Sequence, residues 1–309
     1  MDEGASSVRD HDAFPIVALG SSAGGLEALE EFFQNVSPDS DMAYVVISHL
    51  EPHHTSLMAE IISKSSAIEA AQAENGMEVE KNKIYVIPPG KYMTIERGEL
   101  RLLPRESEPF MPIDHFLRSL AMYARENAAA IILSGNRSDG TVGLRSVHAE
   151  LGVTMAQNPE TARYDSMPRS AIDTGLVDYI MHPSEMPEAL SNHFQALRAN
   201  ALPPRTEPVG GTDDTQNILS IVKRETGHDF SPYKKSTINR RIERRMTVHQ
   251  LESKKHYANY LLQNPKEIHL LFQELIIDVT SFFRNPAAFD SLKEALRQAY
   301  FASGPKKED

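Results

Sequence analysis

Residues 14–29, Phe-Pro-Ile-Val-Ala-Leu-Gly-Ser-Ser-Ala-Gly-Gly-Leu-Glu-Ala-Leu, constrain this chain more than any other stretch. A short apolar run ends in a cluster of small residues, and a helical pattern begins at once after it. That predicts a strand, a tight turn and a helix, with a serine at the turn. Gly20-x-Ser22-x-Gly24 has the form of a nucleophile elbow, in which small flanking residues let the backbone bend and present the hydroxyl above a sheet. The first turn of the following helix offers free N–H groups and a partial positive charge, both suited to a developing oxyanion. A dinucleotide fingerprint needs glycine where Ser22 stands, and a phosphate-binding loop needs Lys-Ser/Thr after its last glycine. Neither requirement is met. A plain turn of small residues remains the alternative on these residues alone.

Short β-rich runs alternate with helical patterns from here to about residue 181. Strands are predicted at 16–20, 44–48, 84–88, 129–134, 153–157 and 177–181, and helices at 26–34, 56–64, 113–125, 141–150 and 185–198. The alternation predicts an α/β fold: a doubly wound, mostly parallel sheet with helices on both faces. Residues 92–103, two alternating runs around Gly98, read as an inserted hairpin. Residues 202–216 are rich in proline, glycine and polar residues and read as a linker. Beyond them the periodicity is helical, which predicts a small all-α C-terminal domain. The expected division is a tail at 1–12, a catalytic domain at 13–200, a linker at 201–214, a helical domain at 215–300 and a tail at 301–309.

With 309 residues the chain has room for two domains, and its net charge of −11 argues against nucleic acid or anionic membranes as partners. It has no cysteine, which excludes disulfides, thiolate zinc sites and cysteine nucleophiles. The polar, acidic first twelve residues do not read as a signal peptide, and the run at 128–133 is too short to span a bilayer. The expectation is a cytoplasmic protein that does not insert in membranes.

A serine at an elbow needs a base, and the base needs an orienting carboxylate. In an open parallel sheet both should lie at the carboxyl ends of strands. His49 follows the run at 43–48, and Asp139 follows the run at 129–134 in a strand-to-helix turn. His53 and His54 are rim alternatives, and His115, His148 and His193 fall within helical patterns. Asp139 reads equally as a helix N-cap. The order Ser…His…Asp differs from the Ser…Asp…His order of α/β-hydrolases.

Several segments occur in order: residues 20–29, Ser48-His49, Ile84-Tyr-Val-Ile-Pro-Pro-Gly90, Ile132-Leu-Ser-Gly135 with Asp139-Gly140, Ala156-Gln-Asn158 and Met167-Pro-Arg-Ser-Ala171. Over about residues 13–195 they resemble the catalytic domain of the chemotaxis protein-glutamate methylesterases. The resemblance implies Ser22 as nucleophile, His49 as base and Asp139 as its orienting partner, with no cofactor. It further implies hydrolysis of γ-glutamyl methyl esters on methylated chemoreceptor helices, together with deamidation of receptor glutamines. The N–H groups of Ala23 and Asn136 are the expected oxyanion donors. The family's loop usually reads Gly-Met-Gly where this chain has Gly135-Asn136-Arg137, so Arg137 is expected to be strained if that position needs φ > 0. A receiver domain commonly precedes this fold in the family, and only about a dozen residues do so here. The competing expectation is a non-catalytic adaptor that binds receptor and other chemosensory signalling proteins; a third is a small-ester hydrolase.

The C-terminal part carries Lys234, Lys235, Arg240, Arg241, Arg244 and Arg245 on one predicted helix. In so acidic a chain Arg240, Arg241, Arg244 and Arg245 are expected to form a docking surface for an acidic partner. A solvated basic face is the alternative. Residues 218–227, this helix and Leu275-Ile-Ile-Asp-Val-Thr280-Ser-Phe-Phe-Arg284-Asn285 resemble the N-terminal helical domain of the chemotaxis methyltransferases. That resemblance implies that Thr280 and Arg284 contribute to S-adenosylmethionine binding, with Asp278 where the family has asparagine. Methyl transfer would need a following α/β domain with a glycine-rich loop, so the cofactor is expected only in a longer esterase–transferase fusion.

Overall fold

The structure, a computed structural model, describes residues 14–49, 57–105, 109–201 and 213–276. Seven strands form one sheet in which every neighbouring pair is parallel: β1 (Ile16–Ser21), β2 (Ala43–Ser48), β3 (Glu69–Gln72), β5 (Lys83–Val86), β8 (Ala128–Ile132), β9 (Val153–Gln157) and β10 (Tyr179–Met181). Their order is β10-β9-β8-β1-β2-β5-β3. The chain winds outward from β1 in both directions, so the reversal of strand order, and with it the cleft of an open α/β sheet, lies at the carboxyl end of β1.

The central strands are buried on both faces, which is why they read as continuous apolar runs. Ile16 and Ala18 point into one core, with Phe116 and Leu117 of α3 (Pro112–Ala124) and Leu144 of α4 (Thr141–Ala149). Val17 and Leu19 point into the other, with Leu29 and Phe32 of α1 (Gly25–Phe33), Ile62 of α2 (Met58–Ser65) and Leu190 of α6 (Met186–Ala201). Helix α5 (Ser166–Ile172) closes the sheet near β9.

The expected hairpin is present as β6 (Lys91–Glu96) and β7 (Glu99–Pro104), turned by Arg97 and Gly98, both at positive φ. The short β4 (Met77–Glu78) adds a third antiparallel strand. The sequence reading missed β3 and β4, both short and without an apolar run. The C-terminal helices are α7 (Asp213–Thr226), α8 (Lys235–Val248), α9 (Lys254–Gln263) and α10 (Pro265–Ile276). They enclose a separate core containing Val222, Phe230, Ile242, Tyr257, Leu261 and Leu271.

Candidate active site

Ser22 stands one residue past β1. Its amide donates to Ser134 O at 3.0 Å, and its carbonyl accepts from Gly25 N at 3.0 Å. The reversal into α1 is made by Gly24, at φ 70°, where an added Cβ would lie 2.9 Å from Arg163 Cβ. The loop after β8 is pressed against the serine from the other side: a Cβ at Gly135 would lie 2.9 Å from Ser22 Cβ and closer still to Met167 Sδ. Only glycine lets the two loops approach this nearly.

His49 follows β2 and Asp139 follows the loop after β8. The structure brings both to Ser22. His49 Nδ1 lies 3.3 Å from Ser22 Oγ, and His49 Nε2 lies 2.8 Å from Asp139 Oδ2. Because a carboxylate only accepts, the network assigns the proton to Nε2 and leaves the Nδ1 lone pair facing the serine hydroxyl. The imidazole is 23% exposed and the Asp139 side chain is fully buried.

Four donors converge on that buried carboxylate. Besides His49, Oδ2 accepts from Ile113 N at 3.0 Å, and Oδ1 accepts from Asp114 N at 2.9 Å and Gly140 N at 2.8 Å. Ile113 and Asp114 lie in the first turn of α3, where amides lack partners within the helix. Asp139 therefore does cap a helix, as its alternative reading allowed, but the helix is α3 and not the α4 that follows it. Asp114 returns the arrangement: its Oδ1 accepts from Gly143 N of α4 at 2.7 Å. Burial pushes the Asp114 carboxyl above the usual range, partly offset by the Gly143 N–H bond. Sequence reasoning missed these amides. Pro112, which marks the first turn of α3, was the signal for them.

Of the expected oxyanion donors, Ala23 follows Ser22 in the chain and Asn136 follows Gly135, whose Cα faces the Ser22 side chain, and the N–H groups of Ala23 and Asn136 bond to nothing among the described residues. Arg137 has φ 71°, so the left-handed conformation expected of the family's glycine is retained with a side chain. Further support was also missed. Ser134 Oγ donates to Ala23 O at 3.1 Å, and Gln157 Oε1 accepts from Ser134 N at 2.9 Å. The Phe110 ring lies 6.2 Å from that of His49. His115 lies in α3 with its ring 4.7 Å from that of Tyr92, and His193 lies in α6, while His53 and His54 fall outside the described residues.

The arginines of α8 require a correction. Arg241, Arg244 and Arg245 are 7%, 6% and 5% exposed, so they form no open docking surface. They lie in the seam between α8 and the sheet domain. Arg244 donates to Asp178 Oδ2 at 2.6 Å, to Gly152 O at 2.9 Å and to Glu274 Oε1. Arg245 donates to both oxygens of Glu267, and Arg241 donates to Ala149 O at 3.2 Å. Only Arg240 is exposed, paired with Glu126 at 2.8 Å. Helical periodicity groups these residues correctly but does not say what covers them. Burial works against the charged forms of Glu267 and Glu274, but His249 with Arg245, and Arg244 with His148, outweigh it and hold both carboxyls down at about 2. His148, Asp178 and Glu274 bring three possible ligand atoms within 4.8 Å of one another. The guanidinium groups already supply the positive charge there, so the cluster does not fit a metal ion. Thr280, Arg284 and Asp278 lie outside the described residues.

An open parallel sheet carrying Ser, His and Asp at the carboxyl ends of three adjacent strands defines a serine-hydrolase site. The chain belongs to the CheB methylesterase family, whose profile matches residues 17–190. Residues 213–276 match the all-alpha domain of the CheR methyltransferases. An uncharacterized 104.1 kDa protein of Rhodobacter capsulatus is 34% identical over 259 residues, covering 77% of this chain and 27% of that protein. The protein-glutamate methylesterase/protein-glutamine glutaminase of Pectobacterium atrosepticum is 30% identical over 190 residues, 60% of this chain and 54% of that protein. The chain thus spans between about a quarter and about half of these relatives' lengths. The crystal structure of the Thermotoga maritima CheB methylesterase catalytic domain superposes with a TM-score of 0.55 at 28% identity, covering 58% of this chain and 97% of that one. No helix among the described residues is long and apolar enough to cross a membrane.

Proposed function

We propose that this chain is a protein-glutamate methylesterase of a chemosensory pathway, acting in the cytoplasm on methylated chemoreceptor helices and also deamidating receptor glutamines. The observation that carries this reading is the continuous hydrogen-bonded line from Ser22 Oγ through His49 to a buried Asp139. Ser22 Oγ attacks the γ-carbonyl of the glutamyl ester while its proton passes to His49 Nδ1. The tetrahedral oxyanion is met by the N–H groups of Ala23 and Asn136. Its collapse breaks the bond to the methoxy oxygen, which takes the proton from His49 and leaves as methanol. Water then gives a proton to Nδ1, attacks the acyl-enzyme and releases the free carboxylate, and the proton returns to Ser22. With a glutamine substrate, ammonia leaves instead. Asp139 keeps Nδ1 free to accept throughout.

Residues 13–200 would form the esterase unit and 215–300 the methyltransferase-type unit, joined through 201–214. S-adenosylmethionine would bind at Thr280 and Arg284 only where a further α/β domain follows. The test is methanol release from a methylated chemoreceptor cytoplasmic domain. Release by this chain that disappears in Ser22→Ala is the expected result, and release that survives in that variant overturns the assignment.

A further inference from the structure

We propose that Ser134 is a positioning residue whose hydroxyl holds the two halves of the oxyanion hole in register; this rests on the esterase reading above. Two peptide groups carry the donors. The Ser22–Ala23 peptide is fixed at its carbonyl, because Ser22 O accepts from Gly25 N at 3.0 Å. The Gly135–Asn136 peptide is fixed likewise, because Gly135 O accepts from Met167 N at 3.0 Å. In a planar trans peptide the N–H points opposite to the C=O. Each bond therefore aims a donor, Ala23 N–H or Asn136 N–H, away from the group that holds its carbonyl. Neither donor has a partner among the described residues.

The two peptides belong to different loops, one after β1 and one after β8, and Ser134 ties the loops together. Its backbone O accepts from Ser22 N at 3.0 Å and its Oγ donates to Ala23 O at 3.1 Å, so it holds the peptide groups on both sides of the Ser22–Ala23 unit. Tyr164 carries the link to the other loop. Its N donates to Ser134 Oγ at 3.0 Å, and its O accepts from Gly135 N at 2.9 Å. Ser134 Oγ also lies 3.3 Å from Tyr164 O, but a hydroxyl has one proton, and the shorter contact to Ala23 O takes it. The hydroxyl thus donates to one loop and accepts from the segment that supports the other.

Ser134 is itself anchored. It is buried, its N donates to Gln157 Oε1 at 2.9 Å, and Gln157 Nε2 donates to Thr161 O at 3.1 Å. It packs directly against the serine turn: an added Cβ at Gly24 would lie 3.0 Å from Ser134 Oγ, and one at Gly25 would lie 3.2 Å from Ser134 O. The turn has no side-chain cap of its own, since Gly24 precedes α1 at φ 70°. Loss of the hydroxyl would leave Ala23 O without this donor and Tyr164 N without its acceptor, and each lies within one link of a donor peptide. The donors serve the oxyanion more than the ground-state carbonyl, so loosened aim raises the barrier and leaves substrate binding nearly alone.

The test is Ser134→Ala in the full chain, with Ser134→Thr to return the hydroxyl. Methanol release from a methylated chemoreceptor cytoplasmic domain should lose about 10- to 100-fold in kcat with KM held within about twofold, and Ser134→Thr should regain most of it. A second probe is a peptide whose glutamyl ester is replaced by a trifluoromethyl ketone. Ser22 Oγ adds to the ketone carbon, its proton passes to His49, and the hemiketal oxyanion occupies the hole. The inhibition constant should rise by the factor by which kcat falls. The pH profile of kcat/KM should not move, because His49 and Asp139 keep their partners. If Ser134→Ala does not fold, Ser134→Cys keeps the shape with a weaker donor and reads the same quantities. An unchanged kcat in the folded variant, a loss of kcat without a change in the ketone's inhibition constant, or a shifted pH profile overturns the positioning role. Turnover that persists in Ser22→Ala would instead overturn the esterase reading.

Discussion

Asp139 illustrates how much a single atom's role can decide. Oδ1 serves two amides, while Oδ2 serves Ile113 N and His49 Nε2. Asparagine keeps one accepting oxygen, and the two amides on the Oδ1 side claim it. Its NH2 group then replaces the acceptor of the Ile113 N–H, at a cost of about 1–3 kcal/mol, and faces His49 Nε2, which must accept, so the ring proton moves to Nδ1 and no lone pair faces Ser22. Asp139→Asn should therefore keep the fold and lose about 10^4-fold in kcat for methanol release. A loss under tenfold in a folded variant would show that Asp139 does not set the tautomer. The three triad residues were legible because chemistry requires each at a strand end. The α3 amides that hold Asp139 were not, since Ile113 and Asp114 lie 26 and 25 residues away in the sequence.

Among the elements, α3 and α4 are joined by an exchange of carboxylates at their N-termini. Asp139 serves the first turn of α3, and Asp114 serves the first turn of α4. Asp114→Ala would leave the buried Gly143 N–H without an acceptor, for about 1–2 kcal/mol of stability. Asp114→Asn keeps an acceptor and should recover most of it. Denaturant titration of the two variants separates these outcomes, and equal stability in both would remove the cap from the account. The strands of the parallel sheet were readable because burial on both faces leaves uninterrupted apolar runs. β3 and β4 were not readable, because β3 is a half-exposed edge strand and β4 has only two residues.

At the scale of the whole molecule, the arginine cluster unites the two units. Arg244 joins Asp178 of the sheet domain to Glu274 of α10, with all three side chains buried. Removing one member of such a cluster leaves uncompensated buried charge, and Arg244→Ala should cost about 3–5 kcal/mol. The response to acid has a definite sign. Glu267 and Glu274 are depressed to about 2, and Asp178 is lowered because Arg244, His148 and Arg245 together outweigh its burial. Their stabilisation is complete above the ordinary carboxylate range and is lost as pH falls from about 4.5 toward 2. His148 adds to the same trend: burial and then Arg244 lower its pKa, so stability starts to fall below about 6.5, where the unfolded chain takes up the proton. Small-angle scattering across pH 7 to 2 should show the units separating at the acid end. Dimensions unchanged to pH 2 would mean that the carboxylates do not hold the seam.

By itself the sequence determined the βα alternation and marked Ser22, His49 and Asp139 as candidates at strand ends. These follow from hydrophobic period and from the need of a serine for a base and an orienter, whereas the φ of 71° at Arg137 came only from the structure. Tertiary structure alone decided which amides hold Asp139 and what covers α8. A hydrogen-bond acceptor or a guanidinium has the same sequence signature wherever it points, and only packing sets its partner. The arginines that suggested an acidic partner found one within the chain, in Asp178 of the sheet domain and in Glu267 and Glu274 of α10.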